Sequence, residues 1–217
     1  MDSLIARLDL WLRTNRPQYH ESLLPGAPAS SIDALERRVG AALPPLLEEM
    51  LAWRDGTGGV DLLADEDLAC EGRWMSIAEI TETVDMLDDM AAVDEWERDD
   101  WWCAGWVPFL MTFSDDYLCV DLIGSFGGQP GQVLKFWHDD KERPIAYPSF
   151  DAWLRTFVEA LEEAMLVTDD RFVVPLHDDS YAAFVAARNP GYPIPAEAGP
   201  RPRRRARVSS SRAESDL

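Results

Sequence analysis

Tyr117-Leu118-Cys119-Val120-Asp121-Leu122, followed by Gln132-Val133-Leu134-Lys135-Phe136-Trp137, decides the fold. Both runs are short, rich in β-branched and aromatic residues and bounded by turn formers, which is the pattern of sheet strands. Between them Gly124-Ser125-Phe126-Gly127-Gly128-Gln129-Pro130-Gly131 is too long for a two-residue turn. It predicts an open, poorly ordered hairpin loop. Downstream, Ser149 caps a helix whose Phe150, Trp153, Leu154, Phe157, Val158 and Leu161 recur at helical spacing. One apolar stripe of this kind lies flat on a sheet, so the chain is α+β.

Toward the N-terminus the period is helical. Ser3 caps a helix carrying Leu4, Ile5, Leu8, Trp11 and Leu12, which Pro17 discourages from continuing. Ile32, Leu35, Glu36 and Val39 make a second helix, stopped at Gly40. Pro44-Pro45 opens a third, with Leu47, Met50 and Leu51 inward, ending at Asp55-Gly56. Arg73-Trp74-Met75 predicts a short strand, and Ser76-x-x-Glu79 is a capping box for a helix that buries Ile77, Ile80, Val84 and Leu87. Toward the C-terminus a strand is expected at 171–174 and an amphipathic stretch from Ser180 to Arg188, with disorder from about Ala196.

The formal net charge is −20, and residues 197–217 hold six Arg against three acids, which leaves −23 on residues 1–196. Such a body repels nucleic acid and anionic membrane and draws in cationic proteins at salt-dependent rates. No apolar run is long enough to span a bilayer, and Met1-Asp2-Ser3-Leu4 lacks the features of a signal peptide, so a cytoplasmic location is expected. Cys70, Cys103 and Cys119 lie far apart with no Cys-x-x-Cys pair, which argues against disulfides and structural zinc.

A second line of inference comes from motif order. Glu36, Leu43-Pro44, Asp55-Gly56 and Gly58-Gly59 come first, then Trp74-Met75-Ser76-Ile77-Ala78-Glu79-Ile80. Gly105-Trp106-Val107-Pro108-Phe109, Asp116 through Leu122, Gly131-Gln132-Val133 through His138-Asp139, and Ser149-Phe150 follow. In this order and spacing they resemble the SMI1/KNR4 (SUKH) superfamily over roughly residues 30–165. The resemblance implies a mixed, largely antiparallel sheet flanked by helices. It also implies a non-enzymatic role: bacterial members are immunity proteins that bind toxins, and fungal members regulate cell-wall synthesis. Asp55, where asparagine is common, and the acidic stretch 85–100 depart from the family pattern and bear on partner choice. On this basis residues 1–25 are expected to be a helical extension, 26–167 the domain, 168–195 an extension packed on it, and 196–217 an Arg-rich tail.

The triplets at His138-Asp139-Asp140 and His177-Asp178-Asp179 lack a spaced third ligand, so no metal is expected. No Gly-x-Ser-x-Gly occurs, and the glycines at 124–131 lack the Gly-Lys-Ser/Thr ending of a phosphate loop. Catalytic residues and cofactors are therefore expected to be absent. Trp101, Trp102 and Trp106 are assigned to the core in preference to a recognition patch. For the Arg-rich tail a solvated terminus is preferred over nucleic-acid binding or folding back on the body. The expected partner is a cognate basic protein toxin, docked on Asp115, Asp116, Asp121, Trp137, Asp139 and Asp140, with a regulatory scaffold of the cell-wall type as the alternative.

Overall fold

The computed structural model describes residues 3–57, 72–92, 101–112, 115–169 and 172–196. The two strands read from the sequence lie in a five-stranded sheet of order β1-β2-β3-β4-β5: Arg73–Trp74, Trp106–Met111, Tyr117–Asp121, Gln132–Phe136 and Ile145–Tyr147. Every pairing in it is antiparallel. Pro108 hides β2 from a pattern search: it has no N–H for the ladder, and the register shifts between Pro108 and Leu110. β3 is buried along its whole length, as befits a strand covered on both faces.

Register places Tyr117, Cys119 and Asp121 on one face with Phe136, Leu134 and Gln132. Trp101, Trp102 and Trp106 cover that face. Trp101 and Trp102 meet the Phe136 ring edge-on at 5.2 and 5.3 Å, and all three tryptophans are buried. The core assignment of these residues therefore stands. The other face takes α6 (Phe150–Glu162), begun by Ser149 Oγ accepting from the Ala152 amide. Its Phe150 and Trp153 close on Phe109 at 5.2 and 4.7 Å. Each large side chain buried this way contributes about 1.5–3 kcal/mol.

α1 (Leu4–Asn15), capped by Ser3 as expected, is built into this core. Leu8 and Leu12 are fully buried, Trp11 Nε1 donates to the Leu161 carbonyl at 3.1 Å, and Arg7 pairs with Glu162 of α6. Pro17 stops α1 and starts α2 (Pro17–Ser22), its fixed φ suiting a first helical position. α3 (Ala29–Val39) ends at Gly40 with φ 77°, and α4 (Pro45–Trp53) follows. At Gly56 (φ 77°) a β-carbon would sit 2.4 Å from the Ser76 amide nitrogen, so only glycine lets the two segments meet. α5 (Ile77–Ala92) starts in the full capping box: Ser76 N donates to Glu79 Oε2 at 2.8 Å, and Glu79 N to Ser76 Oγ at 3.3 Å. Asp55 accepts from the Ile77 amide at 2.7 Å, and burial pushes its carboxyl up.

Beyond α6, β6 (Leu166–Asp169) and β7 (Phe172–Pro175) form a separate hairpin, and α7 (Asp178–Arg188) packs on α6 through Arg188, paired with Glu159 and Glu163. No helix among the described residues is long and apolar enough to cross a membrane. The loop expected to be poorly ordered is pinned: a 3₁₀ turn at Ser125–Gly127 is held by the Asp121 carboxylate, and Ser125 Oγ accepts from Trp106 Nε1 at 2.8 Å. The Arg-rich tail from residue 197, expected to be disordered, lies outside the described residues.

The last described segment lies along the β5 edge. Ile194 exchanges both backbone hydrogen bonds with Ile145 at 2.9 Å, and the Arg143 amide donates to the Ala196 carbonyl at 2.8 Å. The alternate residues, Pro193 and Pro195, have no N–H, so the strap's outward edge offers a further strand no donor. A chain ending at Gly191 should therefore self-associate through β5. Sedimentation at matched concentration is expected to give a higher average mass than for the full chain; an unchanged mass would remove the edge-protecting role.

Candidate functional site

Two loops at one end of the β3–β4 pair gather the acidic residues. Before β3 the Thr112 amide donates to the Asp116 carbonyl at 2.9 Å. Asp115 sits exposed at φ 56°, a left-handed conformation that aspartate tolerates better than most side chains. After β4, the His138 amide donates to Asp116 Oδ1 at 2.9 Å, and His138 Nδ1 lies 3.0 Å from the same oxygen. Asp139 and Asp140 follow, both exposed. The Glu142 amide, 3.0 Å from Asp140 Oδ1, helps hold that carboxyl below the usual range.

A buried arginine fixes the second loop. The Arg143 guanidinium donates to the carbonyls of Asp140 and Glu142 at 2.6 Å and of Trp101 at 2.9 Å, and lies 4.5 Å from the centre of the Phe136 ring. Trp101 Nε1 returns a bond to the His138 carbonyl at 2.6 Å. Charge-assisted hydrogen bonds of this kind are roughly twice as strong as neutral ones. The acidic loop is thus presented on a rigid support.

Of the expected contact residues this geometry leaves Asp115, Asp139 and Asp140 exposed, and Asp116 half-buried against His138. Asp121 is a correction. It is 0% exposed, and its carboxylate accepts from the amides of Ile123, Gly124 and Ser125 and from Gln132 Nε2. Register places it opposite Gln132 on a covered face at the far end of β3, where it holds a loop and is inaccessible to a partner. Trp137, half-buried, belongs to a different depression of about 430 Å³, beside Lys135, Pro144 and Pro195.

Sequence reasoning missed the groove beside the acidic loops. Of about 420 Å³, it has one wall from α5, where Met86 and Met90 lie a helical turn apart with Glu82 a turn before them. Trp101, Tyr117, Asp115 and His138 make the facing wall. Met86 is 46% exposed, a large apolar side chain on a helix whose buried stripe faces elsewhere. The signal was present: Met86 and Met90 fall off the Ile80-Val84-Leu87 stripe at i, i+4 spacing and mark a second apolar face. Burial, with the Asp115 charge nearby, pushes the Tyr117 phenol up to about 12, so it is neutral at physiological pH.

Asp116, His138 and Asp139 offer ligand atoms within 4.8 Å of one another. The spaced third ligand that the sequence lacked is thus supplied by the turn before β3. In this structure, however, Asp116 Oδ1 holds the His138 amide and ring, an arrangement that accounts for the cluster as loop closure.

The SMI1 / KNR4 family (SUKH-1) model matches residues 26–156, which run from just before α3 into α6. The chain belongs to the SMI1/KNR4 family. The expected α+β fold agrees with this. A curated relative, the cell wall biosynthesis/cell cycle regulator smi1 of Schizosaccharomyces pombe, is 25% identical over 184 residues, 76% of this chain. The match covers 36% of that protein, so the chain corresponds to about a third of the fungal regulator's length. The SMI1/KNR4 match takes in both acidic loops and both walls of the groove, and leaves out α1, the β6–β7 hairpin, α7 and the strap.

Proposed function

We propose that this SMI1/KNR4 member acts by binding, with no chemistry of its own, and that it is an immunity protein whose acidic face docks on a basic protein toxin and occludes its active site. One observation carries the reading: Asp115 and His138 line an apolar groove, with Asp116 bonded to His138 and Asp139 and Asp140 following it in the chain, on a body of charge −23. Carboxylates at the rim speed encounter with a cationic cleft, and a desolvated apolar centre supplies the slow dissociation. The fungal relative's name favours a second reading, a regulatory scaffold of cell-wall synthesis.

Coexpression with toxins encoded beside the gene tests the first reading. The chain is expected to protect cells and to copurify with one of them. Neutralising the rim in the D115N/D116N/D139N/D140N variant is expected to slow association by about tenfold or more at low salt, and much less at high salt. A toxin bound equally fast by the variant would place its docking surface elsewhere. If no neighbouring toxin is bound, and several wall-synthesis proteins are captured instead, the scaffold reading replaces it.

A further inference from the structure

We infer that the groove between α5 and the acidic loops is the docking site of this chain's own Arg-rich tail, residues 201–207, which an outside partner must displace. The first support is chemical fit. Glu82 and Asp115 stand in the groove walls, no lysine or arginine among the described residues lines it, and its exposed apolar surface is that of Met86 and Met90, over the nearly buried Trp101 and Tyr117. An arginine suits such a surface: its stem covers apolar side chains and its charge meets carboxylates at the rim. The tail contains Arg201, Arg203, Arg204, Arg205 and Arg207 with few apolar residues, so it lacks the means to build a core of its own.

The second support is reach. The strap delivers the chain to Ala196, whose carbonyl accepts from the Arg143 amide. The same arginine's head group donates to the carbonyl of Trp101, a residue of the groove wall. One arginine therefore separates the tail's origin from the groove. Four residues, 197–200, precede Arg201 and span up to roughly 13 Å when extended, and each further residue adds about 3.3 Å. A tether this short gives an effective concentration in the millimolar range, so weak intrinsic affinity is enough for occupancy. The strap that protects β5 also fixes where the tail begins. This occupancy does not depend on whether the outside partner is a toxin or a wall-synthesis protein.

The test uses the full chain with isotope-labelled methionine methyls. The R203Q/R204Q/R205Q variant is expected to shift the Met86 and Met90 resonances, with the buried Met50 and Met75 unmoved as internal controls. The difference should collapse as salt rises from about 0.1 M to about 1 M, where the Debye length falls from about 10 Å to about 3 Å. A synthetic peptide of residues 197–217 added to that variant should restore the original positions. Its affinity should drop roughly tenfold when E82Q and D115N are also present, substitutions at exposed positions where asparagine tolerates the Asp115 backbone. Met86 and Met90 signals that ignore the arginine substitutions overturn the proposal. So does peptide binding that leaves both methyls in place, which would put the tail elsewhere on the acidic body. Toxin neutralisation is a separate measurement, so either result leaves the immunity reading to its own test.

Discussion

Asp121→Ala is expected to lower the stability of the fold by about 3–4 kcal/mol, more than any substitution among the exposed acids. The carboxylate accepts from three consecutive loop amides at 2.6–3.2 Å and from Gln132 Nε2 at 2.8 Å. Alanine leaves these donors without their acceptor, at about 1–3 kcal/mol for each one that stays buried and finds no substitute. Some of the backbone amides will reach solvent as the loop opens, which keeps the total below the sum. The loop also carries Ser125, the acceptor for Trp106, so the damage extends into the tryptophan cluster. Urea denaturation should show a lower midpoint with little change in slope. Asp121→Asn keeps the shape but turns one acceptor into a donor, and is expected to fall between the two. A loss under about 1 kcal/mol for the alanine variant would mean that the loop is held by other contacts.

Glu79→Ala should rank second, at about 3 kcal/mol. Glu79 completes the capping box and also places Oε1 2.8 Å from the buried Arg73 guanidinium. Its removal frays the start of α5 and deprives a buried cation of its carboxylate. Burial alone would raise the Glu79 carboxyl, but Arg73 and the Ser76 amide and hydroxyl outweigh it and hold the carboxyl below its ordinary value of 4.5. A carboxylate depressed in the folded state contributes its stability fully above that value and loses it as pH falls through the lowered one. The gap between the original chain and the variant should therefore be widest near pH 7 and shrink below about pH 4. A gap independent of pH would assign the loss to helix propensity and packing, and not to the ion pair.

α5 and the tail make the functional question one of competition on a single face. The exposed carboxylates of Asp115 and Asp139 contribute little to stability, about 0–1 kcal/mol each, so they are free to serve recognition, whereas Asp116 also closes its loop onto His138. Asp121 and Glu79, equally acidic in the sequence, are committed to holding loops and caps. Charge counting does not separate the two kinds.

The exposure of Asp115, Asp139 and Asp140 was legible because turn residues next to strands stay at the surface, while the half-burial of Asp116 against His138 was not. Asp121 was misread because its side of the strand depends on register, and a strand covered on both faces gives no alternation to reveal it. β2 was missed at Pro108, where a bulge replaces a ladder bond, and β5 because three residues give no periodic signal. The groove was missed because it belongs to no single element: α5 and the Trp101 segment meet across it only after folding.

By itself the sequence determined the helices with caps, the two strands of strongest pattern, the family, and an acidic body with a basic end. These rest on interactions within a few residues, such as Ser149 with Ala152 or Ser76 with Glu79, that local spacing encodes. Only the tertiary structure decided which acids face water, that Asp116 meets His138, and that Ala196 is held by the Arg143 amide while the Arg143 head group reaches the Trp101 carbonyl. Those pairings join residues tens of positions apart, and their geometry follows from how the sheet registers and how its faces are covered, which no short window of sequence contains.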